Sequence, residues 1–168
     1  MSNSDNEIIP IVNLDDEVIG YKARKDITKD DICRITWCRI TDGEGKILLA
    51  QRAWTKKANP WKRWPAVAWT VAKWESYLDS IIKEIKEEIG LDIDSTDLHI
   101  KVKRYSEYNK KMGQWFTLIY KDDKNKLIKQ DSEVEALKRY SQKELEDQIW
   151  KNPDIFTPWT LWAFNNLQ

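Results

Sequence analysis

Four glutamates stand out by type and spacing: Glu75, then Glu84, Glu87 and Glu88 in the run KEIKEEIGL. The last three fall at i, i+3 and i+4, so on a helix they are near neighbours, and like charges so placed cost about 0.2–0.5 kcal/mol per pair. Two arrangements offset that cost. Lys83 and Lys86 can balance the acids on a solvated face, or the carboxylates can hold a hard divalent cation, which needs oxygen ligands on a rigid support.

The element that must carry these acids is a helix over residues 76–89. At about 100° per residue, Leu78, Ile81, Ile82, Ile85 and Ile89 form one apolar stripe while the glutamates gather on another side, giving a core face and an acid face. Both ends are marked. Ser76 with Asp79 reads as a capping-box start, and Gly90 directly after Ile89 as a left-handed stop.

Read with its flanks, the stretch from Trp69 to Leu91 follows the pattern G-x5-E-x7-R-E-U-x-E-E-x-G-U, where U is aliphatic, and departs from it at two places, Trp69 for Gly and Lys83 for Arg. On this long, fixed-spacing motif the chain resembles the Nudix hydrolase superfamily. EVIGYKAR, ILLAQR, TKKANP, PAVA and FTPW extend the likeness to the subgroup related to isopentenyl-diphosphate isomerases. The resemblance implies an α/β fold, an α/β/α sandwich with a mixed β-sheet and a loop-helix-loop metal site. It also implies one domain over residues 1–168, with an N-terminal hairpin extension over 1–31, the box over 69–91 and a C-terminal helix over 157–168.

By the same resemblance, Glu84, Glu87 and Glu88 hold Mg²⁺ or Mn²⁺ on a substrate diphosphate, and the reaction is hydrolysis of a nucleoside diphosphate linked to another moiety. The base is Glu84 or Glu88, or a glutamate beyond the box, for which Glu133 is preferred over Glu135. Glu75 takes a structural or peripheral metal role. Lys83 keeps the charge of the family's arginine but loses its bidentate fork, so the expected consequence is a lower rate, not a lost one. Arg52, Lys56 and Lys57 follow the ILLAQR strand, where cations position diphosphate oxygens or serve as solubilising loop charges. The expected partner is a small-molecule diphosphate, and a homodimer is compatible with such a family.

Two rivals stand beside this reading. An isomerase of this subgroup carries Cys just before the loop glycine and His just after it, and those places here hold Ala68 and Thr70. The other rival is a non-catalytic module that binds a nucleotide or a partner through exposed aromatics. The tryptophans give that rival its interest. The chain has 10 Trp against 5 Gly, and Trp61, Trp64, Trp69 and Trp74 occupy places where resembling members carry glycine. Glycine serves such loops because they take φ > 0 and approach ligands closely.

Beyond the site, 168 residues suffice for one domain with a sizeable core. Lys plus Arg and Asp plus Glu are 28 each, so no global nucleic-acid or anionic-membrane footprint exists. No apolar run approaches the roughly 18 residues of a membrane span, and the polar start MSNSDNE lacks a signal-peptide pattern, so the expectation is cytoplasmic. Cys33 and Cys38 point to opposite faces of a strand, and His99 reads as a strand residue, which leaves no structural zinc set.

The remaining chain reads as an N-terminal hairpin about the turn at 14–16, then strands over 31–40, 46–52, 66–71, 97–108 and 114–121. A polar turn at 122–126, a weaker strand over 132–140, a helix over 141–149 and a last helix from Thr157-Pro158 complete it.

Overall fold

The computed structural model describes residues 3–121 and 127–167; the expected polar turn at 122–126 lies outside them. Among the described residues there are nine strands: β1 (Ile8–Val12), β2 (Val18–Ala23), β3 (Ile32–Thr41), β4 (Ile47–Arg52), β5 (Arg63–Pro65), β6 (Val67–Thr70), β7 (Leu98–Ser106), β8 (Lys111–Ile119) and β9 (Val134–Tyr140). Three α-helices accompany them, α1 (Tyr77–Ile89), α2 (Gln142–Lys151) and α3 (Pro158–Asn166).

β3 is the hub of the sheet. Its whole length pairs parallel to β8, from Cys33↔Lys111 to Thr41↔Ile119. Its other edge is shared by β1, β6 and β4, all antiparallel, and β9 extends the sheet beyond β4. The side chains of β3 alternate, and so decide the layers. Cys38 and Ile40 join Ile81, Ile85 and Ile89 of α1 in one core, while Trp37 joins Ala163 of α3 and Leu167 directly after it in the other. The sheet therefore lies between helices, the sandwich the sequence leads one to expect. Cys33 and Cys38 are both buried and free, in different clusters.

Helix α1 is fixed at both ends by its own residues. The Asp79 N–H donates to Ser76 Oγ at 3.1 Å and the Ser76 N–H to Asp79 Oδ2 at 3.1 Å, so the capping box forms. Gly90 closes the helix at φ 72°, its N–H donating to the Lys86 carbonyl. The last turn is then covered by the returning chain, because Gln130 N–H donates to Glu88 O at 2.9 Å and Ile128 N–H to Ile89 O at 3.0 Å.

A long-range clamp holds the other end. Asp16, in the turn between β1 and β2, accepts at Oδ1 from Arg34 Nε at 2.7 Å and from the Tyr77 hydroxyl at 3.1 Å, and it pairs with Lys103. Burial alone would push the Asp16 carboxyl up, but Lys103 and Arg34 outweigh it and hold it below the usual range. One carboxylate thus joins the first turn of α1 to the hairpin, β3 and β7.

β5 is an addition to the sequence reading, since the proline-flanked KRWP run carries no alternation to announce it. β7 and β9 begin and end within a residue or two of expectation, and β8 starts three residues earlier. Substituting Gly90 by alanine is expected to destabilise the chain by about 1–2 kcal/mol, the cost of a left-handed non-glycine residue. The new Cβ would also lie 2.9 Å from Ile128 Cβ. Urea unfolding of the variant beside the parent measures it.

Candidate metal and diphosphate site

The acid face of α1 divides in two. Glu84 and Glu88 are buried, at 3% and 0% exposure, while Glu87 turns to solvent. The 100° spacing separates acids from isoleucines, but it does not say that two of the three acids on that face are buried. Both oxygens of Glu88 are buried without a hydrogen-bond partner. An unpartnered carboxylate in such a place is costly and calls for a compensating group.

Charged neighbours partly supply it. Burial drives the Glu88 carboxyl well above its ordinary value, Glu84 and Glu133 push the same way, and Arg52 and Lys56 oppose them. Glu84 is pushed up to about 7, chiefly by burial; Lys83 opposes the rise and Glu87 adds to it. Lys83 reaches both acids of its neighbourhood, 2.8 Å from Glu75 Oε1 and 3.5 Å from Glu84 Oε1. A single ammonium therefore does in two contacts what a guanidinium fork would do in one plane. Glu75 is held further by its Oε2, which accepts from the Ala72 N–H at 3.2 Å.

The cations at the end of β4 and in the β4–β5 loop have separate duties. Arg52 is buried, donates from Nε to the Ala58 carbonyl at 2.9 Å and lies 3.9 Å from the Trp64 ring centroid. Lys56 donates to Glu133 Oε1 at 2.7 Å, which ties the loop to the start of β9, and the Ala53 N–H donates to the Glu133 carbonyl at 2.9 Å. Lys57 is exposed. The fold thus brings together Glu84, Glu88, Glu133, Arg52 and Lys56, and leaves Glu87, Lys57 and the exposed Glu135 at the surface. Trp64 as a cover for Arg52, and Gln130 as a clamp on the Glu88 backbone, carry no motif that sequence reading would detect.

Among the described residues no group of three His, Cys, Asp or Glu side chains converges as a ready metal cage. That is compatible with a hard cation, because Mg²⁺ commonly takes one or two carboxylates and completes its shell with water and substrate phosphate. The orphaned oxygens of Glu88 beside Glu84 are a donor set of that kind.

Comparison with known proteins gives the family and the fold. The NUDIX domain pattern matches residues 33–160, and the chain belongs to that family. An uncharacterized Nudix hydrolase of Nostoc sp. is 26% identical over 157 residues, covering 92% of this chain and 86% of the relative. An isopentenyl-diphosphate Delta-isomerase of Clavibacter sepedonicus is 29% identical over 107 residues, 59% of this chain and 53% of that one. A crystal structure from Deinococcus radiodurans superimposes with a TM-score of 0.75 at 18% identity, over 87% of this chain and 90% of the other, and so shares the fold.

The raised Glu84 carboxyl has a consequence for stability. Its folded value, about 7, lies above the ordinary 4.5, so the folded chain binds more protons than the unfolded chain between those values. Stability of the metal-free chain is therefore expected to fall as pH rises through that window. Thermal unfolding in a chelating buffer at pH 5 and pH 7.5 checks this, with Glu84→Gln expected to flatten the slope.

Proposed function

We propose that the chain hydrolyses a diphosphate linkage in a nucleoside diphosphate joined to another moiety, or in a related small molecule, with Mg²⁺ or Mn²⁺. The observation that carries the proposal is Glu88, buried with both carboxylate oxygens unpartnered beside the buried Glu84. Glu84 and Glu88 would hold the cation from the rigid last turns of α1, with Glu87 at the solvent side. A bound cation of this kind neutralises charge at phosphorus and lowers the pKa of water.

The remaining roles fall to the protein's own groups. Glu133, fixed in place by Lys56, stands with Glu84 and Glu88 as a candidate to take a proton from the attacking water. Arg52 and Lys56 supply positive charge on the side of the site that faces Glu88, and Lys57 adds charge at the loop surface. Isomerisation is disfavoured by chemistry, because Ala68 and Thr70 offer no thiol or imidazole to move a proton on carbon.

The test is release of phosphate or pyrophosphate from a panel of nucleotides, nucleotide sugars and prenyl diphosphates, with and without Mg²⁺. Turnover is expected only with the metal, and Glu88→Gln is expected to lower it by about 10²-fold or more. Metal-independent turnover, or a Glu88→Gln variant as fast as the parent, would contradict the proposal.

A further inference from the structure

Two β-turns frame the acid site, and each has a tryptophan where its geometry demands glycine. In the first, the Lys62 N–H donates to the Asn59 carbonyl at 3.3 Å across Pro60–Trp61, and Trp61 has φ 68°. In the second, the Glu75 N–H donates to the Ala72 carbonyl at 3.2 Å across Lys73–Trp74, and Trp74 has φ 73°. Pro60 is confined to negative φ by its ring, and Lys73 is not among the residues of positive φ, so of the two central residues of each turn only the third residue of the turn is left-handed. That is the type II turn, whose third residue is glycine or, less often, asparagine.

The other described non-glycine residues of positive φ are Asp16, Asn59 and Lys110. Aspartate and asparagine tolerate this region by bonding to nearby backbone, whereas a bulky aromatic there is an outlier. Only surface contacts meet these two rings: Trp61 stacks on the exposed Trp54 at 4.1 Å and Lys73 Nζ lies 4.5 Å from the Trp74 ring centroid. Trp74 is 87% exposed and Trp61 40% exposed, so neither is a core anchor. Trp37 and Trp115 are the contrast: both are buried, their rings stack at 5.0 Å, and Gly113 is kept bare beneath them, since a Cβ there would fall 1.8 Å from the Trp37 ring. The fold is built around those indoles and is merely burdened by the two in the turns.

We infer that the natural gene product carries glycine at positions 61 and 74, each encoded by UGA. A cell that reads UGA as glycine makes two type II turns with glycine in third place; the same codons read as tryptophan give the chain as written. One change of codon meaning accounts for the same replacement in two separate turns, and returning both positions to glycine reduces the excess of 10 Trp over 5 Gly. The change reaches the site, because the first turn bonds the 61 N–H to the Arg52 carbonyl at 3.2 Å and the second presents Glu75 to Lys83.

Two measurements decide the matter, and neither depends on the reaction proposed above. The gene is expected to read UGA at codons 61 and 74, and peptides spanning those positions from the source cell's own protein are expected to have the mass of the glycine form. In the purified chain, Trp61→Gly and Trp74→Gly are each expected to raise the melting midpoint by about 2–4 °C, whereas Trp115→Gly lowers it. UGG at either codon, tryptophan in the source peptides, or glycine variants that melt no higher than the parent would overturn the inference.

Discussion

The structure turns on the burial of two carboxylates in the last turns of one helix. Taking Glu84 and Glu88 out of water is unfavourable, and the chain meets that cost in pieces. Lys83 sits beside Glu84, while Arg52 and Lys56 oppose the rise at Glu88. The compensation is incomplete, since both Glu88 oxygens remain unpartnered. A fold that buries an acid and leaves it unsatisfied retains a destabilised spot, and such spots concentrate where a ligand completes the structure.

The rest of the architecture serves to hold that spot still. Ile81, Ile85 and Ile89 seat α1 on the sheet, the capping box and Gly90 fix its ends, and Asp16 binds its first residue to three other elements. Against the opposite edge, the β4–β5 loop and the start of β9 are joined by Lys56 and Glu133, which closes the wall facing Glu88. The site is thus shared between a rigid helix and a loop that carries the cations. That division would suit the proposed function, in which the acids stay fixed while a charged diphosphate enters.

Much of this was legible in the residues. Local signals were reliable for α1, whose stripe and caps lie within one short segment, and for β3 and β4, joined by the Asp-Gly-Glu-Gly turn. Contacts between distant segments were not. The parallel pairing of β3 with β8, the bond from Gln130 to the Glu88 carbonyl, and the link from Asp16 to Tyr77 all depend on topology that no window of sequence contains. For the same reason the spacing groups the three glutamates on one face, whereas the fold leaves Glu87 exposed and buries Glu84 and Glu88. Arg52 was legible as a cation near the site, but its lodging under Trp64 was not.

The cation site proposed at Glu84 and Glu88 is one in which the fold leaves Glu88 unpartnered. Calorimetric titration of the chelator-treated chain with Mn²⁺ tests it most directly, beside Glu88→Gln and the surface variant Glu87→Gln. Saturable binding that Glu88→Gln abolishes and Glu87→Gln only weakens is expected. Equal binding by the parent and Glu88→Gln would place the cation elsewhere and contradict it.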